Sequence, residues 1–331
     1  MSEPIPAAKR ERTTPGEMLH GYRVRKWLGD GAFSVVYLVE DPKTHVQYAL
    51  KHVISEGDKE DRYLDQLRME WEVGRRLKHR NIRDIVDMRG DQGFKIGGVG
   101  LLKKPGKDLG LVMEMIDAPS LEDLLQKGEL RFSVPEWITI FRDVASALVH
   151  IQDKGYAHAD MKPNNILWDR NHTKVIDLGQ ACAVGTVKKR IQGTPGYIAP
   201  EQAFRNEITP LTDVYNFGAT LYWVLVRDEI PCALPSKNGK VGSAVNPDQI
   251  RMPRPVHEQD PRIPAGFNEI VMQCIRVAPE ARFQSMEMVA ERLDALADHC
   301  HSTGAGNALA GLQTSTGAPD RAYDSEPSKA G

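Results

Sequence analysis

The chain has 331 residues, with 43 lysines and arginines against 45 aspartates and glutamates, and so a formal net charge of −2. Hydrophobic residues make up 41% and charged residues 27%. These are ordinary values for a globular protein and exclude a fibrous or largely disordered chain. A near-neutral charge predicts neither nucleic-acid nor membrane binding. The length allows two domains or one large bilobal domain.

The cysteines and the apolar stretches predict where the protein works. Four cysteines are widely spaced without a C-x-x-C pair, so we expect free thiols rather than a disulfide framework or a cysteine zinc site. The first residues lack the apolar core of a signal peptide. The longest nearly apolar stretch, 214–226, is too short to span a bilayer and fits a buried helix. We therefore expect a cytoplasmic protein.

Both ends of the chain have compositions that cannot form a core. Residues 1–17 are polar and contain three prolines, which predicts a flexible N-terminal arm. Residues 301–331 consist largely of Gly, Ala, Ser, Thr and Pro, which predicts a disordered C-terminal tail.

The first third of the folded part is rich in strand patterns. Three β-rich runs, 22–28, 34–39 and 47–53, are followed by a charged helical stretch at 61–77 and an apolar strand at 109–116. From Ser133 the pattern becomes helical. Ser133-Val-Pro-Glu136 is a capping box, apolar residues recur behind it at helical spacing, and Gly155 ends the helix. Further helices are predicted at 211–227, 267–277 and 285–298. A strand-rich lobe joined to a larger helical lobe would place a ligand site in the cleft between them.

Several motifs carry the chemistry of phosphate groups. Gly29-Asp-Gly-Ala-Phe-Ser34 joins two predicted strands, and glycines let backbone N–H groups approach phosphate oxygens. Lys51 lies in the next apolar strand. A tight hairpin and a solvated lysine would explain each feature alone.

A second group of polar residues follows in the helical lobe. The segment from His158 to Asn165 places Asp160 and Lys162 in one loop, and Asp177 ends an apolar strand twelve residues later. Phosphoryl transfer needs a carboxylate for the nucleophile's proton, oxygen ligands for Mg²⁺ and cations beside the phosphates.

With Gly193-Thr-Pro-Gly-Tyr197, Ala199-Pro-Glu201 and Asp213-Val-Tyr-Asn-Phe-Gly218, residues 20–298 resemble the eukaryotic-type (Hanks-type) protein kinases in motif order and spacing. The sequence is most similar to the bacterial serine/threonine kinases. The resemblance implies an α+β bilobal fold, with a small β-rich N-lobe holding one main helix at 18–116 and a larger α-helical C-lobe at 117–300.

The resemblance also implies catalytic roles. Asp160 would orient the substrate hydroxyl and accept its proton, while Lys162 would stabilise the transferring phosphoryl group. Lys51 would hold the α and β phosphates of ATP and pair with a helix glutamate. Glu70 is the best candidate for that pair, and Glu72 is the alternative.

Further roles concern the metal and the substrate segment. Asn165 and Asp177 would bind Mg²⁺. Thr194 would lie where the substrate-binding segment meets the catalytic loop, and Glu201 would form a buried pair with Arg282. The residues implied to bind ATP are Leu28, Gly29, Gly31, Ser34, Val36, Ala49, Lys51, Met113, Glu114, Ile116 and Leu167.

The sequence departs from the family pattern in the loop that precedes Asp160. Ala159 replaces an arginine that commonly receives an activation-loop phosphate, which predicts that this chain does not need such a phosphate. Thr13 and Thr14 in the arm, and Thr186 and Thr194 in the loop, are the candidate phosphorylation sites. The basic run 188–190 is either a solvated loop or a dock for an acidic substrate or a phosphate.

A second departure is Gly74, one helical turn after Glu70. Glycine there would leave a gap, so the helix would be easily displaced and would need an activating partner or ligand. The alternative is that a neighbouring side chain fills the gap.

Two rival functions remain open. A pseudokinase scaffold would bind nucleotide without catalysis, although Lys51, Asp160, Asn165 and Asp177 are all present. A small-molecule kinase would lack the segment from Gly193 to Glu201 that presents a protein substrate. We therefore expect a Mg²⁺- and ATP-dependent serine/threonine kinase acting on protein substrates.

Overall fold

The structure is a computed structural model that describes residues 12–303, apart from 32, 56, 58–59, 91–94, 97–98, 101–106, 128–131 and 233–249. It confirms the predicted bilobal α+β architecture. A six-stranded antiparallel sheet and one long helix form the N-lobe, and helices dominate the C-lobe.

The N-lobe sheet has the strand order β1-β2-β3-β4-β8-β5. Among the described residues, strands β6 and β7 form a separate two-stranded pair. Helix α1 follows β4 in the chain. The bounds are β1 Met18–Leu19, β2 Tyr22–Asp30, β3 Val35–Glu40, β4 Gln47–Ile54, α1 Asp61–Gly74, β5 Ile85–Arg89, β6 Lys95–Ile96, β7 Val99–Gly100 and β8 Asp108–Glu114.

Alternation along β4 directs side chains to the two faces of this sheet. Ala49 and Val53 belong to the apolar cluster shared with Leu64 and Leu67 of α1. Leu50 belongs to a separate cluster on the outer face. Lys51 therefore points to the same side as α1 and the cleft.

The C-lobe is built mainly around α3 and α5. The bounds of its elements are α2 Leu121–Gln126, α3 Val134–Asp153, β9 Tyr156–Ala157, β10 Ile166–Trp168, β11 Thr173–Val175, β12 Cys182–Ala183, α4 Pro200–Ala203, α5 Pro210–Val226, α6 Val256–Gln259, α7 Ala265–Cys274 and α8 Met286–Thr303.

The start and end of α3 follow from local sequence. The Ser133 hydroxyl accepts a hydrogen bond from the Glu136 N–H, and the Glu136 carboxylate accepts one from the Ser133 N–H at 2.7 Å. This capping box satisfies backbone donors that a helix start otherwise leaves unpaired. Gly155, at φ +79°, follows the helix end.

The apolar stretch at 214–226 lies within α5 and is largely buried. Over the described part of the chain, we find no helix with the length and apolarity needed to cross a bilayer. The four cysteines are free thiols, and Cys182, Cys274 and Cys300 are buried.

The gap predicted at Gly74 is absent. A Cβ atom built on Gly74 would lie 2.3 Å from Cγ1 of Ile85, so the Ile85 side chain of β5 already occupies that space. The glycine lets helix and strand approach closely. The predicted gap was wrong, and the alternative of a neighbouring side chain that fills it is confirmed. The need for an activating partner or ligand stays a prediction.

The ends of the described chain also differ from expectation. Residues 12–17 were predicted as part of a flexible arm, yet they lie against the sheet. Arg12 contacts Asp30 at 2.6 Å and lies over the Trp27 ring, and the Gly16 N–H donates to the Val24 carbonyl. Helix α8 continues to Thr303, beyond the predicted start of the tail. Residues 1–11, with most of the arm, and 304–331 lie outside the described residues.

Candidate active site

A cavity of about 770 Å³ lies between the lobes. Both lobes contribute to it, and most of the residues implied by the resemblance line it. These are Leu28, Gly29, Gly31, Ser34, Val36, Ala49, Lys51, Glu70, Met113, Ile116, Asp160, Lys162, Asn165, Leu167, Asp177 and Thr194.

Lys51 joins the two lobes at the floor of the cavity. Its Nζ donates to Oε2 of Glu70 at 2.8 Å and to Oδ1 of Asp177 at 3.1 Å. Glu70 is buried on the inner face of α1, at 2% exposure. Glu72 instead forms an ion pair with Arg75 on the outer face. Helix α1 thus presents Glu70, and not the alternative Glu72, to the lysine.

The charges of this group depend on one another. Burial opposes the charge on Lys51, but attraction by Asp177 and Glu70 outweighs it and raises the pKa of the ammonium group. Lys51 in turn holds the pKa of Asp177 far below its usual range, against the effect of burial. Burial raises the pKa of Glu70, and Lys51 opposes that rise. Asp177 therefore remains an anion in the cavity.

Asp160, Lys162 and Thr194 form a closed triangle on the C-lobe side. Lys162 Nζ contacts Oδ2 of Asp160 and Oγ1 of Thr194, each at 2.9 Å, and the Thr194 hydroxyl donates to Oδ1 of Asp160 at 2.9 Å. The Asn165 amide donates to the Asp160 carbonyl at 2.8 Å. This bond orients the amide and leaves its oxygen as the group able to bind a cation.

Asp213 fixes the backbone of the loop that precedes Asp160. Its carboxylate accepts hydrogen bonds from the N–H groups of His158 at 2.9 Å and Ala159 at 2.8 Å. Ala159 has φ +59°, a conformation that costs energy for a residue other than glycine. The two charge-assisted bonds stabilise that conformation.

The glycine-rich loop covers the opposite wall. A Cβ on Gly31 would lie 2.5 Å from Oγ of Ser34, so a side chain at this position would displace the Ser34 hydroxyl. The Phe33 ring stacks on Tyr63 of α1 with centroids 3.9 Å apart. The loop and the helix that carries Glu70 are therefore in direct contact.

The segment after β8 connects the lobes. Met113 is buried behind the cavity, and Ile116 lines it. Glu114 lies outside the lining. Its N–H donates to the Asp84 carbonyl at 2.8 Å, and its carboxylate contacts Lys174 at 2.9 Å. The N–H of Glu114 is therefore engaged, which restricts the expected adenine contact at this residue to its carbonyl.

Arg83 is a cavity residue that the sequence analysis missed. It lies on the approach to β5 and lines the cavity. Its Nε is buried and has no hydrogen-bond partner within the described part of the chain. Burial lowers the pKa of Arg83, while attraction by Glu70 and Asp177 opposes that effect. Arg83 is followed by Asp84, and two adjacent charged residues in a strand pattern ordinarily indicate an exposed position, so no local signal was available.

The sequence analysis also missed Gln202 and Asn216 as site residues. Their side chains hold the segment that contains Tyr197 and Ala199 against the loop at Ala159. Gln202 Nε2 donates to the Ala159 carbonyl at 2.8 Å, and its oxygen accepts from the Ala199 N–H and the Asn216 amide, each at 2.9 Å. Asn216 also donates to the Tyr197 carbonyl at 2.7 Å. A polar residue within an apolar helix was the one available signal, at Asn216.

Glu201 lies outside the cavity and forms a bidentate ion pair with Arg282. The two hydrogen bonds are 2.7 and 2.9 Å long. Arg282 also donates to the carbonyls of Arg276, Leu211 and Val277. This buried group ties α4 and the start of α5 to the segment before α8.

The basic run 188–190 is divided in the structure. Lys188 turns inward and donates to the Gln180 carbonyl, whereas Lys189 and Arg190 are exposed. Burial lowers the pKa of Lys188, and the charges of Cys182 and Asp160 oppose that effect. Only two of the three cations therefore remain at the surface.

Two lobes with a lysine and two carboxylates gathered in the cleft between them are an arrangement typical of phosphotransferases. The protein kinase domain family matches residues 22–293, so the chain belongs to the protein kinase family. Serine/threonine-protein kinase PknB of Mycobacterium tuberculosis is 27% identical over 282 residues, which cover 82% of this chain and 42% of PknB. Serine/threonine-protein kinase PksC of Streptomyces coelicolor is 28% identical over 312 residues, which cover 90% of this chain and 52% of PksC.

The chain thus spans about half the length of these two relatives. A crystal structure of the Mycobacterium tuberculosis PknI kinase domain superimposes with a TM-score of 0.63 at 21% identity, covering 86% of this chain and 99% of that domain. The expected resemblance to the bacterial members of the Hanks-type serine/threonine kinases is confirmed, since both of these relatives are bacterial serine/threonine-protein kinases.

Proposed function

We propose that this chain transfers the γ-phosphoryl group of ATP to serine or threonine hydroxyls of a protein substrate, with Mg²⁺. The observation that carries the proposal is the joint position of Asp160, Lys162 and Asp177 in one cavity with Lys51. The cavity thus holds a carboxylate for the substrate hydroxyl, two lysine ammonium groups for the phosphates and a second carboxylate that could bind a metal ion. Phosphoryl transfer requires these groups.

The roles of the reacting side chains follow from their contacts. The Thr194 hydroxyl rests on Asp160 and Lys162 at 2.9 Å, so a substrate hydroxyl entering the same place would meet both side chains. Asp160 would orient that hydroxyl and accept its proton, and Lys162 would stabilise the charge on the transferring group. Lys51 would hold the α and β phosphates, positioned by Glu70.

The wall residues support binding of the adenine ring. Val36, Ala49 and Leu167 offer apolar surfaces from both lobes, and Leu28 lies at the edge of the cavity. Met113 closes the back, and Ile116 with the Glu114 carbonyl would bind the polar edge of the base. Gly29, Gly31 and Ser34 would cover the phosphates.

The residues proposed to bind Mg²⁺ suit a hard cation. Asp177 remains ionised because Lys51 lowers its pKa, and its side chain is 41% exposed. The amide oxygen of Asn165 is the second donor. Mg²⁺ prefers oxygen ligands and is commonly bound by one or two carboxylates together with substrate phosphates. When bound, the ion would neutralise part of the phosphate charge.

We also propose that the activation segment is held without phosphorylation. Ala159 offers no cation for a phosphate, and its carbonyl accepts a hydrogen bond from Gln202 instead. Lys188 supplies a half-buried positive charge inside the segment. The Gly185 N–H donates to the Ile208 carbonyl and the Ile208 N–H donates to the Thr186 carbonyl, and these two bonds anchor the segment to the loop before α5. These contacts do for the segment what a phosphate–arginine pair would do.

The experiment is phosphoryl transfer from γ-labelled ATP with Mg²⁺, using the purified full chain with a generic basic protein. Asp160→Asn is expected to abolish label on serine and threonine. Asp153→Asn, the same change at an exposed helix end, is the matched control and should leave transfer unchanged.

Two results would oppose the proposal. Nucleotide binding without transfer would favour the pseudokinase scaffold, and transfer to a small molecule alone would favour the small-molecule kinase. Full transfer by a chain that mass spectrometry shows to be free of phosphate would support the segment proposal. Transfer that begins only after Thr186 or Thr194 is phosphorylated would overturn it.

A further inference from the structure

Two histidines and an aspartate converge on the outer face of the N-lobe sheet, away from the cavity. Nε2 of His20 lies 2.9 Å from Oδ1 of Asp108, and Nε2 of His52 lies 2.7 Å from the same oxygen. One ligand atom from each residue lies within 4.8 Å of the others. The two ring nitrogens thus point at one place, next to a carboxylate.

One turn and two strands of the N-lobe sheet bring these residues together. His20 is in the two-residue turn between β1 and β2, at φ +51°. His52 follows Lys51 in β4, so its side chain points to the opposite face from the lysine. Asp108 begins β8 and pairs with Ile54 of β4. A group that bound all three would join β1–β2, β4 and β8.

Glycines give the His20 ring its seat. A Cβ on Gly110 would lie 2.7 Å from Cδ2 of His20, and a Cβ on Gly90 would lie 3.1 Å from its Cε1. The imidazole therefore packs against the bare backbone of Gly110 in β8 and of Gly90, which directly follows β5. Its side chain is 12% exposed, so the orientation of Nε2 toward Asp108 is held by packing as well as by the hydrogen bond.

The donor set selects the class of ion. Two imidazole nitrogens and one carboxylate oxygen suit borderline cations such as Zn²⁺, whereas Mg²⁺ and Ca²⁺ prefer oxygen ligands alone. Tetrahedral Zn²⁺ places its ligand atoms about 3.3 Å apart, so Asp108 needs to move outward by about half an ångström. Its side chain is 56% exposed, which leaves room for that movement and for a water ligand.

We propose that His20, His52 and Asp108 form a Zn²⁺ site, with water as the fourth ligand. Binding would replace the imidazole N–H contacts to the carboxylate by bonds to the metal, and the protons on Nε2 would be released or moved to Nδ1. Because the ion would join three strands of the sheet that carries Lys51, it would stabilise the N-lobe.

The test is calorimetric titration of the purified, chelator-treated full chain with ZnCl₂, in excess Mg²⁺ and without nucleotide. The titration is expected to show one saturable site. A thermal unfolding measurement of the same protein should show a higher midpoint with ZnCl₂ than without it. His20→Gln and Asp108→Asn should each weaken binding by at least about 10-fold. His172→Gln removes an exposed histidine 3.5 Å from Asp169 and is the matched control, which should bind as the unmodified chain does.

Co²⁺ provides a second readout that does not depend on folding of a variant. Visible d–d bands of a four- or five-coordinate ion without a thiolate charge-transfer band are expected. A thiolate band would assign the metal to a cysteine and overturn the proposal. So would the absence of saturable Zn²⁺ binding, or equal affinity in folded His20→Gln, since the cluster would then be an ordinary hydrogen-bonded group.

Discussion

Each lobe carries a buried acid–base pair, and the two pairs are built differently. Lys51 and Glu70 share one hydrogen bond at 2.8 Å, and the lysine is also 3.1 Å from Asp177. Arg282 and Glu201 share two bonds, and the remaining arginine donors reach backbone carbonyls. The first pair can exchange partners within the cleft, whereas the second has no free donor to exchange. The difference indicates an ion pair that can rearrange in the N-lobe and a fixed structural ion pair in the C-lobe.

The largest expected difference between the two ion pairs is the loss of stability when Arg282 is replaced. Arg282→Met should lower the free energy of unfolding by about 3–5 kcal/mol, because Glu201 would remain buried without its cation. Urea denaturation of the full chain measures this loss. Arg142→Met breaks an exposed pair with Asp294, in which both side chains are 51% exposed, and should cost less than about 1 kcal/mol. Equal losses would show that burial does not decide the strength of these pairs.

The N-lobe pair should affect the rate rather than the fold. Glu70→Gln should lower phosphoryl transfer by about 100-fold, because Lys51 would lose the anion that positions it while keeping Asp177. The free energy of unfolding should change little. Steady-state kinetics and urea denaturation measure the two effects.

Glu72→Gln is the matched control for that prediction. It makes the same change two residues away on the outer face of α1, where Glu72 contacts Arg75. Its transfer rate should equal that of the unmodified chain. A comparable rate loss in both variants would mean that the helix, and not the Lys51 contact, is being tested.

The contact between α1 and β5 sharpens the comparison further. Gly74→Ala places a Cβ 2.3 Å from Ile85. Overpacking costs about 1–3 kcal/mol, and the gain in helix propensity offsets about 1 kcal/mol of it. A net loss of stability and a slower transfer rate are expected, since α1 carries Glu70. The double variant Gly74→Ala with Ile85→Ala should recover rate relative to Gly74→Ala. Failure to recover would place the effect elsewhere.

The smallest effect is expected in the segment that lies between the two pairs. Lys188→Met removes the inward hydrogen bond to the Gln180 carbonyl and should cost about 1 kcal/mol. We expect faster cleavage of the segment in limited proteolysis. Lys189→Met, at the exposed neighbour, should change neither proteolysis nor transfer to a generic substrate. If Lys189→Met alone reduced transfer, the basic run would act as a dock.

Local sequence was sufficient to predict most of the secondary-structure elements and to propose the site residues. The Ser133 capping box, the strand alternation around Lys51 and the spacing of Asp160 to Asn165 depend on neighbours within a few residues. Such patterns operate through backbone periodicity and side chains three or four residues apart. The fold class and most of the cavity residues were therefore predictable, although Arg83 was not. The choice of Glu70 over Glu72 came from the family resemblance.

The tertiary structure decided what depends on residues far apart in the chain. Ile85 fills the space beside Gly74, Gln202 reaches Ala159, and Arg83 lies close enough to Glu70 for the two charges to attract each other. His20, His52 and Asp108 meet only because β1, β4 and β8 belong to one sheet. Sequence patterns report the face on which a side chain lies, whereas packing and partial charges act between whichever groups the fold brings within a few ångströms.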